Sequence, residues 1–165
     1  MSYILEGMCY AGKTTLGKML GEKLNISSMD SRDLFYNKYN VSENEYLKEY
    51  GKENFKKAER ETLSHDFTNM IFSLGGSAIY YPEEMALLKE KYTIIWLNVP
   101  FEVISYRKSQ ENWERPIVFP DGIHSFEELY NQRYNLYKKC HDIEIKVTKF
   151  DTPEDVIQKI LKHIN

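Results

Sequence analysis

The strongest constraint on the fold is a segment near the start of the chain, Gly7-Met8-Cys9-Tyr10-Ala11-Gly12-Lys13-Thr14, which fits the pattern G-x-x-x-x-G-K-[ST]. The short apolar run Tyr3-Ile4-Leu5 precedes it, and a helical pattern follows it. In such a setting the glycines let backbone N–H groups converge on a phosphate, and the following helix adds the positive end of its dipole. The segment therefore predicts a P-loop between a strand and a helix, and with it nucleotide binding.

This pattern gives a chemical role to individual side chains. Lys13 would reach the β- and γ-phosphates of ATP, and the Thr14 hydroxyl would bind Mg²⁺. The alternative is a glycine-rich turn that matches the pattern by chance. The strand predicted before the turn and the helix predicted after it argue against a chance match. The predicted ATP-binding residues of this segment are Gly7, Ala11, Gly12, Lys13, Thr14 and Thr15.

The rest of the chain alternates apolar runs with helical patterns. Strands are expected at residues 3–5, 26–29, 70–74, 93–99 and 143–147. Because helical patterns lie between successive strands, the strands should be parallel and covered on both faces. We expect a three-layer α/β/α fold of the P-loop NTPase or nucleoside-monophosphate-kinase type, with a five-stranded parallel sheet in one domain over residues 1–165.

Composition argues against several classes of function. A net charge of −3 leaves no basic surplus for a nucleic-acid interface. No apolar stretch has the length of a membrane span, and no signal peptide is expected because a strand begins at once. Cys9 and Cys140 form no disulfide framework, which favours a reducing, cytoplasmic location. We expect a monomer or weak dimer that acts on a small molecule.

Polar or flexible residues follow two of the predicted strands, at the sheet edge where the P-loop lies. Asp30 follows the second strand, and its carboxylate suits a magnesium site and a helix N-cap equally well. Gly75 and Gly76 follow the third strand and would leave backbone N–H groups open to a ligand. For the two glycines, an ordinary strand-to-helix turn is the alternative.

Two arginines lie in the second half of the chain. Arg115 belongs to the irregular residues 110–124, which are predicted to form a lid loop that closes over ATP. Arg133 lies in the following helix, where its planar guanidinium could clamp a carboxylate. The simpler interpretation of the Arg115 segment is a solvated surface loop. The simpler interpretation of Arg133 is a charge on the protein surface.

These segments, in this order, resemble the shikimate kinase family over almost the whole chain. The resemblance implies transfer of the γ-phosphate of ATP, with Mg²⁺, to a hydroxyl of a small acceptor that carries a carboxylate. It implies a lid arginine at Arg115-Pro116 and an acceptor-carboxylate arginine at Arg133. It also places Arg107, or alternatively Lys108, and the Thr152-Pro153 segment beside the adenine.

The chain departs from the family where the acceptor binds. The family has Asp-x-Asp after the second strand, whereas this chain has Asp30-Ser31-Arg32-Asp33. Arg32 thus replaces an aspartate that holds ring hydroxyls in the family and is a candidate base. The family's Phe-Arg-x-x-Glu is Phe55-Lys56-Lys57-Ala58-Glu59 here, and its three-glycine loop is Leu74-Gly75-Gly76.

These departures define the predicted acceptor site, with Asp33 as the first candidate base and Glu59 as the second. Loss of a carboxylate and gain of a guanidinium favour an acceptor that is more anionic than shikimate or has fewer ring hydroxyls. A divergent shikimate kinase in which Asp33 takes the missing role is equally consistent. The chain could also be a nucleoside monophosphate or gluconate-type kinase, or a catalytically silent ATP-binding protein. The predicted acceptor-binding residues are Arg32, Lys56, Glu59, Gly75, Gly76 and Arg133.

Overall fold

The computed structural model describes residues 1–113 and 115–164. Its centre is a five-stranded parallel sheet in the order β2-β3-β1-β4-β5. The sheet predicted from the alternating pattern is therefore confirmed. Its strands are β1 (Tyr3–Glu6), β2 (Ser27–Asp30), β3 (Met70–Ser73), β4 (Thr93–Asn98) and β5 (Ile143–Lys146).

Helices connect the strands and cover the sheet. All of β1 is buried, so side chains on both of its faces pack against other elements, as expected of a three-layer α/β/α fold. A short 3-10 turn, Ala78–Tyr80, precedes the fourth helix. The helices are α1 (Lys13–Leu24), α2 (Ser31–Tyr39), α3 (Glu43–Thr62), α4 (Pro82–Lys91), α5 (Phe101–Gln110), α6 (Phe126–Tyr137) and α7 (Pro153–Ile164).

The main hydrophobic core lies along the two central strands. Ile4 and Leu5 of β1 and Ile94 and Ile95 of β4 are completely buried. Burial of each such side chain contributes about 1.5–3 kcal/mol relative to leaving it exposed. This packing fixes the end of β1, from which the predicted P-loop departs.

The segment between β2 and β3 forms two helices, α2 and α3. Asn40 adopts a left-handed conformation with φ 58°, which ends α2. The Ser42 hydroxyl then accepts a hydrogen bond from the Glu45 N–H (3.2 Å), and the Glu45 carboxylate accepts one from the Ser42 N–H (2.8 Å). This capping box begins a new helix at Glu43. Within α3, Gly51 has a non-helical φ of 78° and kinks the helix.

Sheet order determines which segments meet at the site. Because β1 lies between β3 and β4, and β3 lies between β1 and β2, the carboxyl ends of β1, β2 and β3 are adjacent. In the register, Ser73 pairs with both Leu5 and Asp30. The P-loop, Asp30 and the glycine turn therefore lie together at one edge of the sheet, the usual ligand position in open α/β folds.

Candidate active site

The P-loop backbone forms a tight turn between β1 and α1. Gly7, Tyr10 and Gly12 have φ values of 145°, 67° and 90°. The Lys13 ammonium folds back over this turn and donates to the carbonyl oxygens of Gly7 (2.6 Å) and Met8 (2.8 Å). A turn of this kind can point its N–H groups toward a common centre, so it is suited to an anion.

Lys13 lies in a strongly desolvated position. Burial, together with the nearby positive charges of Arg115 and Arg133, lowers the pKa of Lys13 to about 7. Negative charge brought close to the ammonium would favour its protonated form. The site thus favours an anionic ligand electrostatically as well as geometrically.

Oxygen ligands for a cation lie beside the P-loop. The Thr14 hydroxyl donates to Asp30 Oδ2 at 3.0 Å, and Asp30 Oδ1 accepts from the N–H groups of Arg32 (2.9 Å) and Asp33 (3.0 Å). Asp30 therefore caps α2, the second of the two roles considered from the sequence. Burial opposes its charge, but these hydrogen bonds and the adjacent Arg32 guanidinium bring the pKa of Asp30 below its ordinary value. A hydroxyl and an ionised carboxylate in contact are a donor set that suits Mg²⁺.

One cavity of about 310 Å³ joins the P-loop to the glycine turn, the start of α2, helices α3 and α6, and the irregular loop before α6. Most residues predicted from the sequence to bind ATP, metal or acceptor line this cavity. They are Ala11, Gly12, Lys13, Thr14, Thr15, Asp30, Arg32, Glu59, Gly75, Gly76, Arg115 and Arg133.

Two predicted acceptor-site residues lie elsewhere. Asp33 borders a separate small recess with Thr14 and Lys18, on the far side of the α2 start. Lys56 lines a neighbouring cavity of about 240 Å³, and its ammonium lies 3.5 Å from Glu53 Oε1. Asp33 is displaced because its N–H donates to the capping carboxylate of Asp30, and this first turn of α2 carries the Asp33 side chain away from the cavity.

The two predicted adenine-side residues also lie outside the large cavity. Arg107 donates from Nη1 to the Tyr10 carbonyl oxygen (2.9 Å), so it contacts the outer side of the P-loop. Pro153 is the first residue of α7, after Thr152, whose N–H and hydroxyl donate to the Asp155 carboxylate (2.8 and 2.7 Å). The two residues belong to different helices, α5 and α7, and only Arg107 forms a hydrogen bond with the P-loop.

Arg133 is the most deeply buried cation of the cavity, with 2% of its surface exposed. Its Nε donates to the Tyr80 hydroxyl at 3.3 Å. A Cβ atom at Gly76 would lie only 2.8 Å from Arg133 Nη1 and 3.1 Å from the Cys9 nitrogen. Glycine is therefore required at position 76, because Arg133 and the Cys9 backbone leave no room for a side chain. The Tyr137 hydroxyl donates a hydrogen bond to the Gly76 carbonyl oxygen at 2.6 Å. These contacts fix the guanidinium against the cavity wall.

Arg115 lies on the opposite wall, in the predicted lid loop. Its guanidinium forms two contacts with the Glu111 carboxylate, of which Nε to Oε2 is 2.9 Å, and it lies 4.3 Å from the ring centroid of Tyr10. Glu114 falls within the predicted lid and lies outside the described residues. Arg115 is thus held directly over the P-loop.

Acidic residues that the sequence analysis did not select also line the cavity. They are Glu43 and Glu111. The Arg32 guanidinium lies between two of the cavity's residues: its Nη2 is 3.3 Å from Asp30 Oδ2, and its Cζ is 5.7 Å from the centroid of the Trp113 ring. The Ser-x-x-Glu pattern at residues 42–45 could have located the start of α3 and therefore Glu43. For Glu111 and Trp113 the sequence carries no comparable pattern.

Comparison with known proteins gives a consistent result. The profile of the shikimate kinase family matches residues 10–165. A shikimate kinase from Caldicellulosiruptor bescii is 29% identical over 160 residues, which cover 96% of this chain and 92% of that protein. The crystal structure of the Aquifex aeolicus shikimate kinase aligns with a TM-score of 0.79 at 29% identity, covering 99% of this chain and 96% of the other. A shikimate kinase from Acinetobacter baumannii, solved with shikimate, aligns with a TM-score of 0.82 at 25% identity, covering 99% and 93%.

Proposed function

This chain belongs to the shikimate kinase family, and on that premise we propose that it transfers the γ-phosphate of ATP to a hydroxyl of a small alcohol that bears a carboxylate. Membership of the family makes the chain a phosphotransferase. The acceptor and the residue roles are inferred from the cavity.

The observation that carries the proposal is the pairing of two sites in one cavity. At one end, the P-loop turn and Lys13 offer N–H groups and a cation to a phosphate chain. At the other end, the buried Arg133 presents a fixed guanidinium beside the open backbone of Gly76. A guanidinium binds a carboxylate through two parallel hydrogen bonds, so Arg133 is suited to the acid group of the acceptor.

The roles proposed for the residues at the P-loop end of the cavity follow from their charges. Lys13 and Arg115 would neutralise the transferring phosphoryl group, whose transition state is loose and places negative charge on its equatorial oxygens. Thr14 and Asp30 would hold Mg²⁺, which when bound supplies further neutralisation of phosphate charge. Closure of the loop at residues 110–124 would exclude water and limit ATP hydrolysis.

The roles of the acceptor end follow from position. Arg133 would orient the acceptor by binding its carboxylate. Gly75 and Gly76 would let the acceptor approach the backbone of the glycine turn, and Glu59 would lie beside the bound acceptor. Arg32 and Lys56 lie at the margins of this end, with Lys56 in the adjoining cavity. Arg107 and Pro153 would contact the adenine side. Positioning contributes most of the catalysis expected for this chemistry.

An acceptor panel tests the proposal. ADP release would be measured with ATP, Mg²⁺ and, in turn, shikimate, quinate, gluconate, 6-phosphogluconate and nucleoside monophosphates. We expect turnover with an acid alcohol and none above the acceptor-free rate with the nucleotides. A preference for a nucleoside monophosphate would replace the proposal with a nucleotide kinase. Binding of ATP without transfer to any acceptor would replace it with a silent ATP-binding protein.

The wider organisation is proposed on the same basis. Residues 1–165 would form one kinase domain that acts in the cytoplasm as a monomer or weak dimer, without nucleic acid or membrane as a partner. Within the described residues, no helix combines the length and apolarity needed to cross a bilayer.

A further inference from the structure

Glu43 lines the large cavity and has not been assigned a role above. It is the first residue of α3, and the capping box between Ser42 and Glu45 holds this end of the helix in place. Its side chain lines the same cavity as Lys13 and Arg133. A carboxylate at a capped helix terminus thus borders the cavity that also holds the predicted phosphate-binding and carboxylate-binding groups.

The surroundings of Glu43 bring together charges from four segments. Burial of its carboxylate and the nearby charge of Glu59, also on α3, raise the pKa of Glu43 to about 7. Arg32 on α2 and Arg115 in the lid loop oppose this increase, whereas Asp30 at the end of β2 adds to it. Glu43 therefore gains or loses its proton easily near neutral pH.

The other carboxylates of the cavity are engaged by neighbouring groups. Asp30 accepts hydrogen bonds on both oxygens, and Glu59 Oε1 accepts from the Ser77 hydroxyl at 2.6 Å. Glu111 is paired with Arg115. Among the described residues, no hydrogen bond or salt bridge joins the Glu43 carboxylate to another side chain, and its neighbours act on it through their charge alone. Among the described residues that line this cavity, Glu43 is the carboxylate available to a ligand hydroxyl.

From this geometry we propose that Glu43 binds the attacking hydroxyl of the acceptor and receives its proton. The hydroxyl oxygen forms a bond to the γ-phosphorus, and the bond between that phosphorus and the β–γ bridging oxygen breaks. The bridging oxygen leaves on ADP with the electron pair, and the hydroxyl proton passes to the Glu43 carboxylate. This inference rests on the proposed function.

The test compares Glu43→Gln with the wild-type chain on the acceptor from the panel that the wild type phosphorylates fastest. We expect kcat/KM for the acceptor to fall about 10- to 100-fold, as for a lost hydrogen bond to a charged group. ATP affinity, measured by calorimetry, should not change. The acid-side decrease in rate, centred near pH 7 in the wild type, should disappear. Glu43→Asp should recover part of the rate.

Glu49→Gln is the matched control, because Glu49 is an exposed glutamate on the same helix. It should leave rate, pH profile and thermal stability unchanged. Turnover by Glu43→Gln within twofold of the wild type, or an unaltered pH profile, would overturn the role of Glu43. Failure of the wild type on every acceptor would instead overturn the proposed function.

Discussion

The two ends of the cavity are built in different ways. The phosphate end comes from consecutive residues of one turn, whose backbone N–H groups and buried Lys13 lie between β1 and α1. The acceptor end is assembled from side chains on α2, α3, α6 and the lid loop, which are far apart in the sequence. A binding site formed by backbone N–H groups changes little when side chains are substituted. In a binding site formed by side chains, a substitution changes the charge that the site presents to its ligand. Arg32 on α2 and Glu43 on α3 are two such side chains.

The largest expected effect tests the phosphate end. Lys13→Ala should lower kcat about 1,000-fold, because it removes the cation closest to the transferring phosphate. ADP release with saturating ATP and acceptor measures this effect. Lys18→Ala is the control, since Lys18 is exposed on the same helix. Equal turnover by Lys13→Ala and Lys18→Ala would mean that the P-loop does not act in catalysis, and the comparison of the two ends would fail.

A somewhat smaller effect is expected for the lid loop, and it tests whether Arg115 acts on the rate of transfer or on ATP binding. Arg115→Ala should lower kcat about 100-fold and weaken ATP binding much less, because in the proposed mechanism Arg115 neutralises charge that develops in the transition state. Steady-state kinetics and calorimetry with ATP separate the two quantities. Arg60→Ala is the control, because Arg60 is an exposed arginine paired with Glu83 and Glu84. An Arg115→Ala variant that binds ATP poorly but turns over normally at saturation would assign Arg115 to binding alone.

The last prediction concerns the stability of the fold and not turnover, and it tests Glu6 at the start of the P-loop. Glu6 is 1% exposed at the end of β1, and among the described residues neither of its carboxylate oxygens has a hydrogen-bond partner. Burial raises the pKa of Glu6 to about 9, above its ordinary value. The folded chain therefore retains a proton that the unfolded chain loses, and the free energy of unfolding should fall as pH rises from about 5 to 9.

Glu6→Gln removes this titration and keeps the shape of the side chain. Denaturant unfolding at several pH values should show the variant gaining stability over the wild type as pH rises across that range. Each unit of difference in pKa corresponds to about 1.4 kcal/mol. Glu90→Gln, at an exposed position, provides the control. A difference between Glu6→Gln and the wild type that stays constant with pH would mean that Glu6 is ionised in the folded chain.

Much of this protein is determined by local sequence. The P-loop pattern, the apolar strands and the helices between them predict the parallel sheet and the place of Lys13 and Thr14, because hydrophobic periodicity and turn chemistry act over a few residues. The acidic part of the acceptor end is different. Asp33 follows Asp30 closely in the sequence but turns into another recess, whereas Glu43 enters the cavity from a new helix.

The sequence alone therefore determined the sheet, the phosphate-binding turn and the family. Only the tertiary structure decided that Glu43 and Glu111 share the cavity with Arg133 and Arg115, and that Asp33 does not. The physical reason is that a side chain's direction depends on where its helix begins and how that helix packs. A capping interaction at Ser42 and a left-handed residue at Asn40 set both for Glu43.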